Sequence, residues 1–200
     1  MVMDLQRLNQ QLRFITEVDR VKQVIRRTLL LDKSRLENDA EHSWHAVLAA
    51  MVLSEYGNQP DMDLGRVLCM ITVHDLVEID AGDTYAYDDQ AHLDKEEREV
   101  RAAERIFGLL PPDLAAEMRA LWDEFESQST PEAKFAGAMD SFMPLLHNYL
   151  TNGQQWLKHD VSSDRVLARN EARIAAGSEQ LADYVRQLVA DAVAKGYLRQ

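Results

Sequence analysis

Val73-His74-Asp75-Leu76-Val77-Glu78 is a run in which an apolar helix face becomes charged without losing its register. Leu64, Val67, Leu68 and Ile71 fall at i, i+3, i+4 and i+7, and His74, Asp75 and Glu78 continue that series. An imidazole and two carboxylates aimed into a protein interior cost several kcal/mol unless neutralised, and one divalent cation neutralises all three. His42 and Asp140, on separate predicted helices, complete a set of two imidazoles and two carboxylates. Such a mixed nitrogen and oxygen shell suits a borderline or hard divalent ion: Mn, Co, Fe, Ni, Zn or Mg. Adjacent His74 and Asp75 project about 100° apart on a helix, so an ion shared by both lies at the helix flank, between helices. Four protein ligands on a six-coordinate ion leave two positions for water and substrate.

The elements that must position these residues read as helices throughout. Leu5, Leu8, Leu12 and Ile15 mark a first amphipathic helix over residues 3–16, and residues 18–25 begin a short second one. Periodicity is lost from Arg26 to Asp39, which reads as an extended or irregular connection. Asn38-Asp39-Ala40-Glu41 has the pattern of a capping box, which starts a helix to about Tyr56 with Val47, Leu48, Met51 and Val52 facing inward. The next helix starts at Asp61 to Asp63, bears His74 and Asp75, and stops at Ala81-Gly82, leaving Asp83 in the following turn. Helices over 93–107 and 113–126 follow. Ser127-Gln-Ser-Thr130, with Pro131 at the first helical position and Glu132 after it, then opens another, whose stripe is Phe135, Met139, Phe142, Leu146 and Tyr149, with a kink expected beside Asp140 because Pro144 cannot donate to its carbonyl. Helices over 162–176 and 179–195 complete an all-α chain without strand-like alternation or repeats.

Composition narrows the function classes. At 200 residues the chain is long enough to bury about 70% of the surface an unfolded chain exposes, so one domain over 1–200 is expected. Acidic residues outnumber basic ones 34 to 22, which argues against a general grip on a nucleic acid polymer, though not against a small phosphorylated ligand. No apolar run approaches the ~18 residues of a membrane span, and the N-terminus lacks a signal-peptide layout. Cys69, between Leu68 and Met70, reads as a packed core thiol in a reducing, cytoplasmic protein. Trp44, Trp122 and Trp156 read as packing residues, His92, His147 and His159 as surface or structural groups, and 95–99 as a solvated helix face.

Glu41-His42-Ser43, His74-Asp75 with Glu78 one turn on, and Asp140 after a capped helix start resemble the HD-domain metal-dependent phosphohydrolases in order and spacing. The fuller strings Glu37-Asn-Asp-Ala-Glu-His-Ser43, His74-Asp75-x-x-Glu78-x-x-x-Gly82-Asp83 and Leu121-Trp122-x-Glu124-Phe125-Glu126 are similar to the 5'-deoxynucleotidase branch. The resemblance covers residues 5–150, leaving 151–200 as a C-terminal helical extension. It implies an HD-domain helical bundle with a metal held by His42, His74, Asp75 and Asp140, and Glu78 activating or positioning the attacking water. It implies removal of phosphate from (deoxy)ribonucleoside 5'-monophosphates by a homodimer. It also implies a second cation near Glu78 and Asp83 in some members, and an arginine matching Arg27 on the substrate phosphate. In the family that arginine precedes a tryptophan; here Thr28 follows, which loosens the implied preference for 2'-deoxyribose, and Arg26 is the alternative phosphate ligand. Two other readings remain open from the sequence: hydrolysis of another phosphate ester, such as a nucleoside triphosphate or cyclic nucleotide, and non-catalytic metal or ligand sensing.

Overall fold

A computed structural model describes residues 5–88 and 90–200. α1 (Leu5–Val18) leads through a 3₁₀ turn (Asp19–Gln23) into β1 (Ile25–Leu29), which pairs antiparallel with β2 (Leu36–Asn38). α2 (Asp39–Leu53), α3 (Leu64–Val73), a 3₁₀ turn (His74–Val77) and α4 (Glu78–Ala81) follow. The rest is α5 (Lys95–Phe107), α6 (Pro112–Ser127), α7 (Pro131–Leu150), α8 (Gln154–Lys158), α9 (Ser163–Gly177) and α10 (Glu179–Ala194). The all-α expectation therefore holds with one addition, a two-stranded hairpin at the connection where helical periodicity fails. Its register slips between the Ile25–Asn38 and Leu29–Leu36 pairs, and this irregularity hides strand alternation in the sequence.

The helix starts follow their caps. The Asn38 side chain accepts from the Glu41 N–H at 3.0 Å while the Glu41 carboxylate accepts from the Asn38 N–H at 3.1 Å, the reciprocal box that satisfies two otherwise open donors. Thr130 accepts from the Ala133 N–H ahead of Pro131, so α7 begins where its sequence dictates. α7 then runs without a break through Pro144 to Leu150. It is the central element, with α2, α3, α6, α9 and α10 packed on it. Phe135, Met139 and Phe142 are buried in a core that also takes Val166 and Ile174 of α9 and Val185 of α10. A smaller cluster of Val77, Ala102, Ala103, Ile106, Phe107 and Trp122 holds α5 and α6 against the 3₁₀ turn.

Three expectations about burial are corrected. α2 turns Ala46 and Ala50 inward, and Leu48, Met51 and Val52 outward with exposures of 42%, 52% and 65%. Small residues at the buried positions let α2 approach α3 and α7 closely, which displaces the larger apolar face to solvent. Cys69 is exposed, because it stands two residues from Val67 and hence on the opposite side of α3 from the buried stripe. Trp44 is 67% exposed and stacks on His45, whereas Trp122 and Trp156 are buried. No helix among the described residues is long and apolar enough to cross a membrane.

Candidate metal centre

Five segments converge on one place. β1 supplies Arg26, β2 supplies Glu37, the first turn of α2 supplies Asp39 and His42, the 3₁₀ turn supplies His74 and Asp75, and α7 supplies Asp140. The helix carrying the apolar stripe tightens to 3₁₀ at His74, and α4 resumes at Glu78. Gly82 follows with φ +76°, a conformation an L side chain resists, and turns the chain so that Asp83 lines the same cavity.

His42, His74, Asp75 and Asp140, remote in sequence, are brought together. His42 Nε2 lies 3.0 Å from Asp140 Oδ1, His74 Nε2 lies 3.5 Å from the same oxygen, and His74 Nε2 lies 3.1 Å from Asp75 Oδ1. His42 Nε2 is 4.0 Å from Asp75 Oδ2. The candidate ligand atoms of His42, His74 and Asp140 all lie within 4.8 Å of one another, as do those of Asp39, Asp75 and Glu78. Asp75 thus joins the predicted set to a second carboxylate group that includes Asp39, a residue that stands in the Glu37–Ser43 string but is given no ligand role from the sequence.

The donor set fits a cation. His74 Nδ1 sits 2.7 Å from the Ile71 carbonyl and donates to it, which leaves Nε2 as the ring's lone-pair nitrogen. That buried Nε2 has no hydrogen-bond partner among the described residues and faces carboxylate oxygens, an arrangement that repels unless a positive charge stands between them. Burial disfavours a charged His74, yet Asp75 and Asp140 beside it lift its pKa to about 9, so the positive charge held at Nε2 is a proton or a cation that displaces it. Burial instead drives His42 down to about 4, with Arg26 adding to the effect. Glu78, raised by burial and then by Asp75 and Asp39, and Asp83, raised chiefly by burial, both titrate above the usual carboxylate range; burial and Asp75 bring Asp39 to about 7. For the three carboxyls burial is the first cause, and neighbouring negative charge adds to it.

Arg26 is the cation set among the carboxylates Glu37, Asp39 and Asp75. Its side chain is 13% exposed, with Nη1 at 2.8 Å from Asp75 Oδ2 and 3.1 Å from Asp39 Oδ1, and Nε at 3.6 Å from Glu37 Oε1. Arg27, the next residue on β1, is exposed, with its guanidinium 5.7 Å from the Tyr85 ring centroid. Both arginines line a cavity of ≈ 240 Å³ that opens onto Asp75, Glu78 and Asp140.

Several groups here are given no role by the sequence. Glu37, 3.7 Å from His42 Nδ1, is raised to about 7 by burial. His147 donates from Nδ1 to the Leu29 carbonyl at 3.1 Å and meets His45 at 3.3 Å, consistent with a structural histidine. Lys95 and Glu99 line the cavity, joined at 3.2 Å, and Glu99 is buried; the 95–99 face is therefore only partly solvated. α9 contributes Arg169 and Arg173, the latter 3.5 Å from Asp140 Oδ2. A charged residue on an amphipathic helix reads as solvent-facing until the partner helix is known.

The family model described as HD domain matches residues 18–182. A human protein named 5'-deoxynucleotidase HDDC2 is 33% identical over 130 residues, which is 64% of this chain and 62% of that protein. A Schizosaccharomyces pombe protein named 5'-deoxynucleotidase hdd1 is 33% identical over 110 residues, 53% of this chain and 54% of that one. The matched stretch thus spans less than two thirds of the length of these curated relatives. A crystal structure of a predicted metal-dependent phosphohydrolase from Magnetospirillum magnetotacticum MS-1 superposes with a TM-score of 0.91 at 50% identity, covering 97% of this chain and 99% of the other.

Proposed function

Because the chain belongs to the HD-domain family, we propose that it is a metal-dependent phosphohydrolase that removes phosphate from (deoxy)ribonucleoside 5'-monophosphates. The observation that carries this reading is the cluster of buried His42, His74 and Asp75 with partly buried Asp140, His74 Nε2 facing carboxylates, beside a cavity that arginine also lines. The names of the human and fission-yeast relatives support the nucleotide class.

In this reading His42, His74, Asp75 and Asp140 hold a divalent cation. Bound there, the cation would polarise a phosphate oxygen and acidify a water. Glu78 is the catalytic carboxylate. It is buried and its Oε2 has no partner among the described residues, so that oxygen is available to accept and hold a proton. Arg26 is committed to Asp75, Asp39 and Glu37, and it fixes their orientation. Arg27, with no carboxylate partner within ion-pair distance among the described residues, grips the substrate phosphate, a task its planar fork suits. Asp83 borders the same cavity and serves substrate or a second cation.

Residues 1–200 act as one domain, since α9 and α10 share the core of α7 and α9 reaches the cavity. A homodimer is supported by the outward stripe of Trp44, Leu48, Met51 and Val52 on α2. A cytoplasmic setting suits an exposed, unpaired Cys69. The test is a phosphate-release assay of the purified protein on a panel of nucleoside mono- and triphosphates, cyclic nucleotides and sugar phosphates with each candidate metal. Release from nucleoside 5'-monophosphates is the expected result; inactivity on the whole panel with every metal would reject the hydrolase.

A further inference from the structure

Beyond the charged floor, the cavity wall holds two buried amides. Asn148 of α7 and Gln155 of α8 both line it, with exposures of 9% and 7%. Asn148 Nδ2 donates to the Pro144 carbonyl at 2.8 Å, which fixes the amide so that Oδ1 is the free end. Asn148 Oδ1 and Gln155 Oε1 are each buried without a hydrogen-bond partner among the described residues. A buried acceptor left unmatched costs about 1–3 kcal/mol, so two in one wall point to a ligand that carries donors.

A phosphate offers acceptors and cannot satisfy them. Position along α7 separates the two subsites further: Asn148 follows Asp140 by eight residues, about 12 Å along the helix axis at 1.5 Å per residue. That spacing sets the amide away from the metal centre, toward the far end of a nucleotide whose phosphate lies at Asp140. Buried Thr28 and partly buried Tyr85 line the same cavity.

On the premise that the substrate is a nucleoside monophosphate, we propose that Asn148 and Gln155 form a nucleobase subsite selective for bases with an exocyclic amine, cytosine at C4 and adenine at C6. The amine donates to these oxygens. The carbonyl of uracil or hypoxanthine at the same place presents an acceptor against an acceptor, and a site built to hydrogen-bond a group discriminates against the analogue lacking it.

Deoxycytidine and deoxyuridine have the same size and sugar and differ at C4 and in the attendant ring proton, which makes them the discriminating pair. Calorimetric binding of the two nucleosides to the full chain requires neither phosphate nor turnover. The expected result is about tenfold or more tighter binding of deoxycytidine, with the ratio falling to near one in Gln155→Met and in Asn148→Leu. The same ratio is read as kcat/KM for dCMP over dUMP with a divalent cation. A general loss of packing lowers both members of the pair together and leaves their ratio in place. Should Asn148→Leu fail to fold, Gln155→Met decides. Equal binding of the two nucleosides, binding of neither, or a ratio unchanged in the folded variants overturns the subsite. Amine-selective binding without hydrolysis of any nucleotide keeps the subsite and rejects only the hydrolase.

Discussion

Asp75 touches more of the centre than any other ligand candidate: His74 at 3.1 Å, Arg26 at 2.8 Å and the carboxylate group with Asp39 and Glu78. Asp75→Ala is therefore expected to lose the bound cation, measured by elemental analysis, while far-UV circular dichroism stays helical, because the helices bury their own apolar faces. Glu78→Gln keeps size and hydrogen bonding but removes the base, so cation content should persist while kcat falls by about 10² to 10⁴. A parent-like rate in that variant would leave Glu78 an ordinary buried carboxylate. The two arginines separate by a different pair of measurements. Arg27→Ala should raise KM with unchanged thermal stability, whereas Arg26→Ala strips a buried ion-pair network and should lose about 3–5 kcal/mol of stability in denaturant unfolding.

Among the elements, α2 is the one whose start sets the geometry of the centre. His42 lies in its first turn, and Arg26 reaches Asp39 from the hairpin, so the capping box and the hairpin together fix where the helix begins. Asn38→Ala removes the acceptor for the Glu41 N–H and is expected to cost about 1 kcal/mol, or about 2–4 °C in Tm for a chain of this size. Calorimetry should show that shift, accompanied by weaker cation binding because the turn bearing His42 frays first. The α2 start, the α6 and α7 boundaries and both late helices were legible from caps, prolines and stripes. The hairpin was not, because its strands are short and out of even register. Nor was α8, whose five residues are too few for a period to show.

For the whole molecule, the outward stripe of α2 sets an oligomer prediction: Trp44→Asp combined with Met51→Asp should convert a dimer to a monomer in analytical ultracentrifugation with helicity unchanged. A parent already monomeric at high concentration would remove that face as an interface. The sequence by itself determined that the chain is helical and which residues could ligate a metal, because cap chemistry and helical period are local and the His42, His74-Asp75 and Asp140 runs carry their residue types openly. It also determined that Glu78 lies one turn beyond His74. Only the tertiary structure decided which face of α2 is buried, that Arg26 and not Arg27 is spent on the carboxylates, that Asp39 joins Asp75 and Glu78, and that Glu99, Arg173, Asn148 and Gln155 border one cavity. The physical reason is range. A side chain's burial and pKa are set by neighbours from distant segments, and here α7 carries both Asp140 of the candidate metal centre and Asn148 of the amide wall, while α8 and α9 complete the cavity.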